Sequence, residues 1–262
     1  MNLTKIGLRC DRLVAKKISE FPEELKTLIQ KEGFVAGGAI ASLINDDKVN
    51  DLDIYFKSPE ALSRLVNLLN TSDLGYPFEL ETYTDDNLVY RSDLGSFNAI
   101  HRPHKNDLGI TFYSRAAISM GDVQLIVKYA GDPDKVVESF DFAHCQGYYD
   151  ISEENLVVSH KALECLHFKH LLYTGSEYPV SAVFRVKKYL NRGYTISAGQ
   201  LFKIAFEVSK LNLEDLVTLR DQLIGIDVMY FNHFLKALEK MKKEDKVDKD
   251  TIFTLIDTFF ND

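Results

Sequence analysis

Hydrophobic and polar positions follow two rhythms along this chain. Between residues 33 and 56 they read as a short continuous apolar run (Phe34, Val35, Ala36), a compact apolar stretch (Ala39 to Ile44), a polar turn, and then strict alternation, with Leu52 and Ile54 interleaved with Asp51 and Asp53. A short apolar run bounded by glycine reads as a buried strand, and alternation reads as a strand with two unlike faces. The spacing predicts a strand over 34–37, a short helix over 39–45 and a strand over 51–56. Residues 1–32 read as mainly helical, with Pro22 in the first turn of a helix from Glu23 to Lys31, where its missing N–H is harmless. Ser58 and Pro59 open another helix, with Leu62, Leu65, Leu68 and Leu69 on one face.

Residues 71–108 are polar, with short strands expected around Phe78–Tyr83 and Leu88–Tyr90. Strands are predicted at 109–113, 116–120 and 123–129, the last two joined by a hairpin turn at Gly121 and Asp122. Asp132 and Pro133 start a helix to about Ser139, and Phe140–Tyr149 reads as a returning strand. From Ser159 the rhythm becomes helical: to about His170, over 180–191, over 201–211 behind a capping box at Ser197–Gln200, then over 213–224, 228–242 and 250–260. The reading is α+β: a core over 1–155 built on a small mixed β-sheet with flanking helices, and an all-helical domain over 156–262.

Composition narrows the class. The chain has 262 residues, 45% of them hydrophobic, enough for one large or two modest cores. No apolar run approaches the ~18 residues of a membrane span, and Arg9, Asp11, Arg12, Lys16 and Lys17 leave no room for a signal-peptide apolar region. Three cysteines without C-x-x-C spacing suit a reducing compartment, and a cytoplasmic protein is expected. The net charge of −8 argues against general coating of nucleic acid, yet residues 161–210 carry eight Lys/Arg against three acids, leaving room for a local polyanion site.

Chemistry concentrates in the 33–56 segment. On a strand, Asp51 and Asp53 point the same way, and two carboxylates on one rigid face repel unless a cation lies between them. Hard oxygen ligands suit Mg²⁺, or Mn²⁺ in its place. Gly37 and Gly38, at a strand-to-helix junction, let backbone N–H groups approach an anion. A phosphate cradle beside a carboxylate pair suits phosphoryl or nucleotidyl transfer.

These residues resemble the signature of the DNA polymerase β-like nucleotidyltransferase superfamily: an apolar residue, Gly-Gly or Gly-Ser, a short helix, then Asp-apolar-Asp/Glu-apolar. Here Gly37 and Gly38 are followed by residues 39–50 and then Asp51, Leu52, Asp53 and Ile54. The fuller string is similar to nucleotidyltransferase-like proteins of bacteriophages and large DNA viruses, through Val123–Ile126, Phe140–Phe142 with Cys145, and Arg185–Gly193. The resemblance implies transfer of a nucleoside monophosphate from an NTP to a hydroxyl on RNA, a nucleotide or a protein, with Asp51 and Asp53 as catalytic metal ligands and Gly37 and Gly38 at the nucleotide. It also implies a third acid in an apolar-Asp-apolar setting, where this chain has Gln124. Asp141 is the first candidate to compensate and Asp122 the second. Loss of the third acid altogether would leave a weakened relative that binds a nucleotide or a host protein.

Arg185, Lys188 and Arg192 share one helix face, and the resemblance assigns Arg185 and Lys188 to phosphate. The alternative is a solvated stripe, with Val186 and Leu190 facing a core. Ser114 and Arg115 are weaker phosphate candidates, and Tyr55 or Tyr113 could stack a base. His101 and His104 lack the partners of a tetrahedral metal set, and His167 and His170 read as packing or surface residues. His144 and Cys145, if on a strand, face opposite sides and form no nucleophile–base pair.

Overall fold

The structure, a computed structural model, describes residues 2–70, 80–84, 90–94, 109–114 and 116–223, with Thr254 and Asp257. The expected loop around His101–His104 and the helices at 228–242 and 250–260 lie outside the described residues, apart from Thr254 and Asp257. The chain divides into two compact units, Met1–Thr174 and Gly175–Asp262.

The first unit is α+β. Helices α1 (Leu3–Lys17) and α2 (Glu23–Glu32) precede β1 (Gly33–Ala36), α3 (Gly38–Asn45), β2 (Leu52–Phe56) and α4 (Pro59–Asn70). Then come β3 (Leu80–Thr84), β4 (Tyr90–Leu94), β5 (Phe112–Tyr113), β6 (Ala117–Met120), β7 (Val123–Ala130), α5 (Pro133–Glu138), β8 (Gly147–Asp150), β9 (Asn155–Val158) and α6 (His160–Phe168). Among the described residues these strands make one mixed sheet in the order β3-β4-β7-β2-β1-β8-β9, with β6 beside β7 and β5 beside β6. Among the pairs of described residues in this sheet, β2–β7 is parallel and the others are antiparallel. Gly121 allows the tight β6–β7 hairpin, because its φ of 64° lies in the left-handed region that glycine enters without strain.

Alternation along the strands sorts the side chains into two layers. Val35, Leu52, Ile54, Phe56, Val123 and Leu125 face one way and pack under α1 to α4, against Cys10, Ile29, Ile40, Leu62 and Leu65 among others. Phe34, Ala36, Tyr55 and Tyr148 face the other way, under Val136 and Val137 of α5 and beside Phe140. Capping agrees with the sequence at several helix starts: Ser58 Oγ accepts from the Ala61 amide at 3.1 Å, Ser159 Oγ from Ala162 at 3.1 Å, and Ser197 Oγ from Gln200 at 3.4 Å.

The segment Phe140–Gln146 departs from expectation. Instead of a strand it is a turn, with a 3-10 helix at Ala143–Cys145, and the strand begins only at Gly147. Its apolar alternation imitates a strand, but its backbone bonds are made elsewhere. The Gln146 side chain donates to the carbonyls of Glu138 and Phe140 at 3.2 and 3.1 Å, and the Ala143 amide donates to Leu172 at 3.0 Å. The helix expected from Ser159 to about His170 also stops early: α6 ends at Phe168, where Lys169 turns left-handed with φ 48°.

The boundary between units therefore falls after Thr174 rather than after residue 155. Strand β9 pairs with β8 as far as Val158, α6 packs on the 143–145 turn and on α3, and the Thr174 amide donates to the Asp141 carbonyl at 3.0 Å. These bonds hold residues 156–174 to the first unit.

In the second unit, α7 (Pro179–Leu190), α8 (Ala198–Val208) and α9 (Leu216–Gln222) are described. Ser181 Oγ donates to the Gln222 carbonyl at 2.6 Å, tying α7 to α9. Val186 is buried as expected, but Leu190 is 44% exposed and does not share its core face. On α8 only Ile204 is buried, while Leu201, Phe202 and Phe206 are exposed.

One polar contact closes the sheet beside β1. Asp150 Oδ1 accepts from Lys57 Nζ at 2.7 Å, from the amides of Ser152 and Glu153 at 3.0 and 3.1 Å, and from Ser152 Oγ at 3.0 Å. Burial works to raise this carboxyl's pKa, but the Lys57 hydrogen bond, the other donors and the Lys57 charge together hold it below its ordinary value of 3.8. A carboxyl depressed on folding contributes stability that is complete above that ordinary value and is lost as pH falls through the lower folded one. Asp150→Asn is expected to cost about 2 kcal/mol in urea unfolding at pH 7. The gap from wild type should narrow when the titration is repeated near pH 3; a gap independent of pH would contradict the assignment.

Candidate functional site

Strand register brings Gly37, Gly38 and Asp53 to one end of the sheet. β1 and β2 run antiparallel with Val35 opposite Ile54, so the Ala36 end of β1 lies beside the Asp53 end of β2. The chain leaves β1 there, turns at Gly37 and enters α3 at Gly38. Gly37 has φ 77° and ψ −134°, a conformation essentially closed to residues with a Cβ. A Cβ at Gly38 would meet nothing within 4 Å, so the start of α3 is open to an approaching group. The first amides of a helix have no partners within it and carry the positive end of its dipole.

Asp53 is half-buried within β2, while Asp51 is exposed and immediately precedes the first strand residue, Leu52. The Leu52 amide still donates to the Asp122 carbonyl at 2.8 Å, which keeps this end in register with β7. Asp53 is paired with Gln124 across the parallel β2–β7 ladder, and Gln124 with Ser119 across β7–β6. Residues in one lateral row share a face, so Asp53, Gln124 and Ser119 stand side by side on the face that also carries Phe34, Tyr55 and Tyr148. Gln124 thus lies next to the carboxylate strand and toward the same side, as the sequence suggested.

The two proposed third acids fare differently. Asp122 forms an ion pair with Lys17 of α1. Asp141 is buried in the turn that follows α5, between Phe140, which packs on Gly37 and Tyr55, and Phe142, which bridges to Tyr173. Among the described residues no three His, Cys, Asp or Glu side chains are grouped to hold a metal ion. Asp53, with Asp51 just before β2, and the Gly37-Gly38 turn lie together at one end of the sheet.

Other candidates resolve into structural roles. Tyr55 stacks on Phe34 with ring centres 5.4 Å apart, and Tyr113 is buried in the opposite layer, so neither offers a ring face for a base. Ser114 Oγ accepts from the amides of Ala116 and Ala117 at 3.3 and 3.2 Å and serves the turn; Arg115 lies outside the described residues. His144 and Cys145 are not on opposite sides of a strand: the 3-10 turn brings Cys145 Sγ to 3.4 Å from His144 Nε2, and both are buried. Cys165 Sγ likewise lies 3.4 Å from His170 Nε2, and burial pushes its thiol pKa upward, the opposite of an activated nucleophile. In the second unit Arg185 is half-buried on α7, Lys188 is exposed, and the Arg192 guanidinium lies 6.0 Å from the Tyr189 ring centre.

Ser119 is the member of the row that sequence reading missed. Its signal was the alternation Ala117, Ile118, Ser119, Met120, which sets the hydroxyl opposite two core residues. It is fully buried, and its Oγ has no hydrogen-bond partner among the described residues.

The chain belongs to the Gabija anti-defense 2 family, whose model matches residues 12–169, a span that contains Gly37, Gly38, Asp51, Asp53 and Asp141 but not Arg185 or Lys188. A relative from Bacillus phage SPbetaL7, named Gabija anti-defense 2, is 26% identical over 246 residues, covering 92% of this chain and 54% of its own length. The chain thus spans about half the length of that curated relative. Among solved structures, the Thermotoga maritima CCA-adding enzyme complexed with tRNA is 13% identical, with 94% of this chain and 65% of that chain covered at a TM-score of 0.42. The Bacillus stearothermophilus CCA-adding enzyme in complex with CTP is 11% identical, with 82% and 51% covered at a TM-score of 0.41. Overlaps this partial carry no weight for activity. No helix among the described residues is long and apolar enough to cross a membrane.

The two glycines should respond differently to substitution. Gly37→Ala forces a Cβ into the strained backbone and is expected to lower stability by about 1–3 kcal/mol. Gly38→Ala, with open space around it and a helical backbone, is expected to be neutral or to stabilise by up to about 1 kcal/mol. Thermal unfolding of both variants, followed by circular dichroism, checks the contrast.

Proposed function

We propose that the first unit is a nucleotidyltransferase-type site that binds an NTP with a divalent cation, Mg²⁺ or Mn²⁺, and transfers its nucleoside monophosphate to a hydroxyl acceptor. The observation that supports it is the meeting of Asp53, with Asp51 beside it, and the Gly37-Gly38 turn at one end of one sheet. The α3 amides are suited to phosphate oxygens. Asp51 and Asp53 would hold the cation, which when bound supplies positive charge to a triphosphate. Their alternation with Leu52 and Ile54 fixes the carboxylates, because shifting either would pull a buried core residue out of place.

In such a transfer the acceptor oxygen bonds to the α-phosphorus with loss of its proton, and the bond to the β-phosphate oxygen breaks to release pyrophosphate. RNA, a nucleotide and a protein hydroxyl are all acceptors compatible with that chemistry. Arg185 and Lys188 of α7 are the proposed cations for phosphate in the second unit, where residues 179–210 contain six Lys/Arg and a single acid, Glu207.

A second reading is favoured by α8. Leu201, Phe202 and Phe206 are 46%, 70% and 55% exposed along one helix, and where such residues form a contiguous apolar patch they mark an interaction surface. In a family named for anti-defense, a protein that binds its target and uses the nucleotide site weakly would suit that surface.

The deciding experiment incubates the protein with each labelled NTP, Mg²⁺ or Mn²⁺, and pooled RNA, and follows label into RNA, protein or small products. Transfer is expected to fall at least about 100-fold in Asp53→Asn and in Asp51→Asn, with the melting temperature preserved or raised, since a like-charge pair is relieved. Transfer that survives Asp53→Asn would refute this chemistry. Tight nucleotide binding with no transfer to any acceptor would favour the binding reading.

Changing Arg185 and Lys188 together to Ala is expected to weaken NTP or RNA binding and flatten its salt dependence while leaving the fold intact. Unchanged affinity, measured by filter binding at low and high salt, would return the pair to an ordinary solvated helix face.

A further inference from the structure

We infer that Gln124 and Ser119 form a neutral subsite for ribose hydroxyls, in which Gln124 makes the contact and Ser119 positions its amide. The inference rests on the nucleotidyltransferase-type reading of this end of the sheet and deepens it, by naming what the side chain beside Asp53 recognises. Strand order sets the subsite apart from the phosphate-binding turn. β1 runs into Gly37 and Gly38 on one side of β2, and Gln124 stands on the other side, in register with Asp53. Two strand spacings, about 10 Å, separate β1 from β7. A phosphate held at the α3 amides therefore leaves half-buried Gln124 to meet another part of the nucleotide, or its acceptor.

The chemistry of Gln124 fits hydroxyls better than phosphate. A phosphate oxygen only accepts hydrogen bonds, and the Gln124 oxygen would face it lone pair to lone pair. A planar amide carries one accepting oxygen and two N–H donors side by side. A hydroxyl both donates and accepts, so two neighbouring ribose hydroxyls can engage both halves of the amide at once. A carboxylate in the same place could only accept, and a lysine or arginine could only donate.

Ser119 is the independent observation. It is 0% exposed, and its Oγ has no hydrogen-bond partner among the described residues, a state that native proteins seldom leave uncompleted. The Ser119 carbonyl is satisfied, accepting from the amide and the hydroxyl of Thr111 at 2.8 and 3.0 Å. Only its hydroxyl is left over. Directly opposite stands Gln124, and facing residues of an antiparallel pair have Cβ atoms about 5 Å apart, a gap that a glutamine closes by rotating its side chain. Ser119 is too deep to touch a ligand itself. By donating to the Gln124 oxygen it would turn the amide N–H groups outward, and that bond would fix which hydroxyl pattern the amide meets.

The test measures binding rather than turnover. Wild type and variants are titrated calorimetrically, with Mg²⁺ present, with the α,β-imido analogue of each NTP and with its 2′-deoxy and 3′-deoxy counterparts. A second arm uses an oligoribonucleotide ending in ribose or in 2′,3′-dideoxyribose. Wild type is expected to favour the ribo form about tenfold in one arm. A preference among nucleotides assigns the hydroxyls to the NTP, and one among oligonucleotides assigns them to the acceptor. Gln124→Ala and the similarly long Gln124→Met are expected to abolish the preference while the deoxy form binds as before. Ser119→Ala is expected to reduce it to about threefold, and Ser119→Thr, which keeps the hydroxyl, to restore it. A ratio of affinities is insensitive to a general loss of stability, and circular dichroism confirms that each variant is folded. No ribose preference in wild type, or an unchanged one in the folded Gln124 variants, would overturn the inference while leaving nucleotide binding intact. An unchanged ratio in Ser119→Ala would overturn the role given to Ser119. Failure of wild type to bind any analogue would sink the nucleotidyltransferase-type reading itself, and this inference with it.

Discussion

The pairing of β2 between β1 and β7 is the constraint on which the rest of the first unit depends. β2 sits between neighbouring strands of opposite sense, antiparallel to β1 and parallel to β7. A parallel neighbour cannot be reached by a hairpin, so the chain crosses from β2 to β7 through α4 and the strands that follow. α4 then packs back onto both β2 and β7. The crossover buries Leu52, Ile54 and Phe56 to 1% exposure or less beneath the helical layer. Because strand side chains alternate, burying those residues commits Asp53 to the opposite face. Core formation and site formation are one event here, and a register slip of a single residue would exchange a carboxylate for a leucine in the core.

Among the described residues, the opposite face is packed by a smaller set of side chains. α5 is short, and with Phe140 it covers Phe34, Tyr55 and Tyr148. Aromatic packing fills the middle of that face, which explains why Tyr55 is occupied with Phe34 and Phe140 rather than available to a base. Tyr148 lies under the same layer, and burial, aided by the charge and hydrogen bond of Asp134, pushes its hydroxyl pKa up to about 12, so it stays protonated as a neutral donor. The polar row of Asp53, Gln124 and Ser119 lies on this face at the end where β1 turns into α3.

Much of this was legible in the sequence, and for local reasons. Strand alternation at 51–56, glycine at the β1–α3 turn, Gly121 in the hairpin and serine caps before α4, α6 and α8 each encode their structure within a few residues, so the elements they mark were found close to their true limits. What was misread depends on distant partners. The apolar alternation of Phe140–Cys145 satisfies a strand pattern, yet Gln146, Leu172 and Thr174 supply bonds that make it a turn. The same distant contacts shift the unit boundary to Thr174, because nothing in residues 156–174 announces that α6 packs on α3. Leu190 looked like core from helical period alone, but period says which residues share a face and not whether anything covers it. The candidate site divided along the same line: Asp51, Asp53, Gly37 and Gly38 come together because they are joined by a short connection, whereas Asp141 depends on the path of a misread segment.

The two functional readings make opposite demands on this architecture. Transfer chemistry needs charge held rigidly where the phosphate is attacked, and β2 supplies rigidity through its buried neighbours. Sequestration of a target needs exposed apolar area, and α8 supplies that in a different unit, on Leu201, Phe202 and Phe206. A row of Asp53, Gln124 and Ser119 is an intermediate case, polar enough to meet a nucleotide and its cation but carrying less negative charge than a fully acidic row. Lower charge weakens the hold on a second ion, yet it also reduces the repulsion between the site and an incoming triphosphate on a chain whose net charge is −8. On the proposed reading, a neutral residue at this place would shift the balance from electrostatic catalysis toward nucleotide retention. A departure that looks like damage to a transferase would be, for a protein that must bind first, an adjustment in a useful direction.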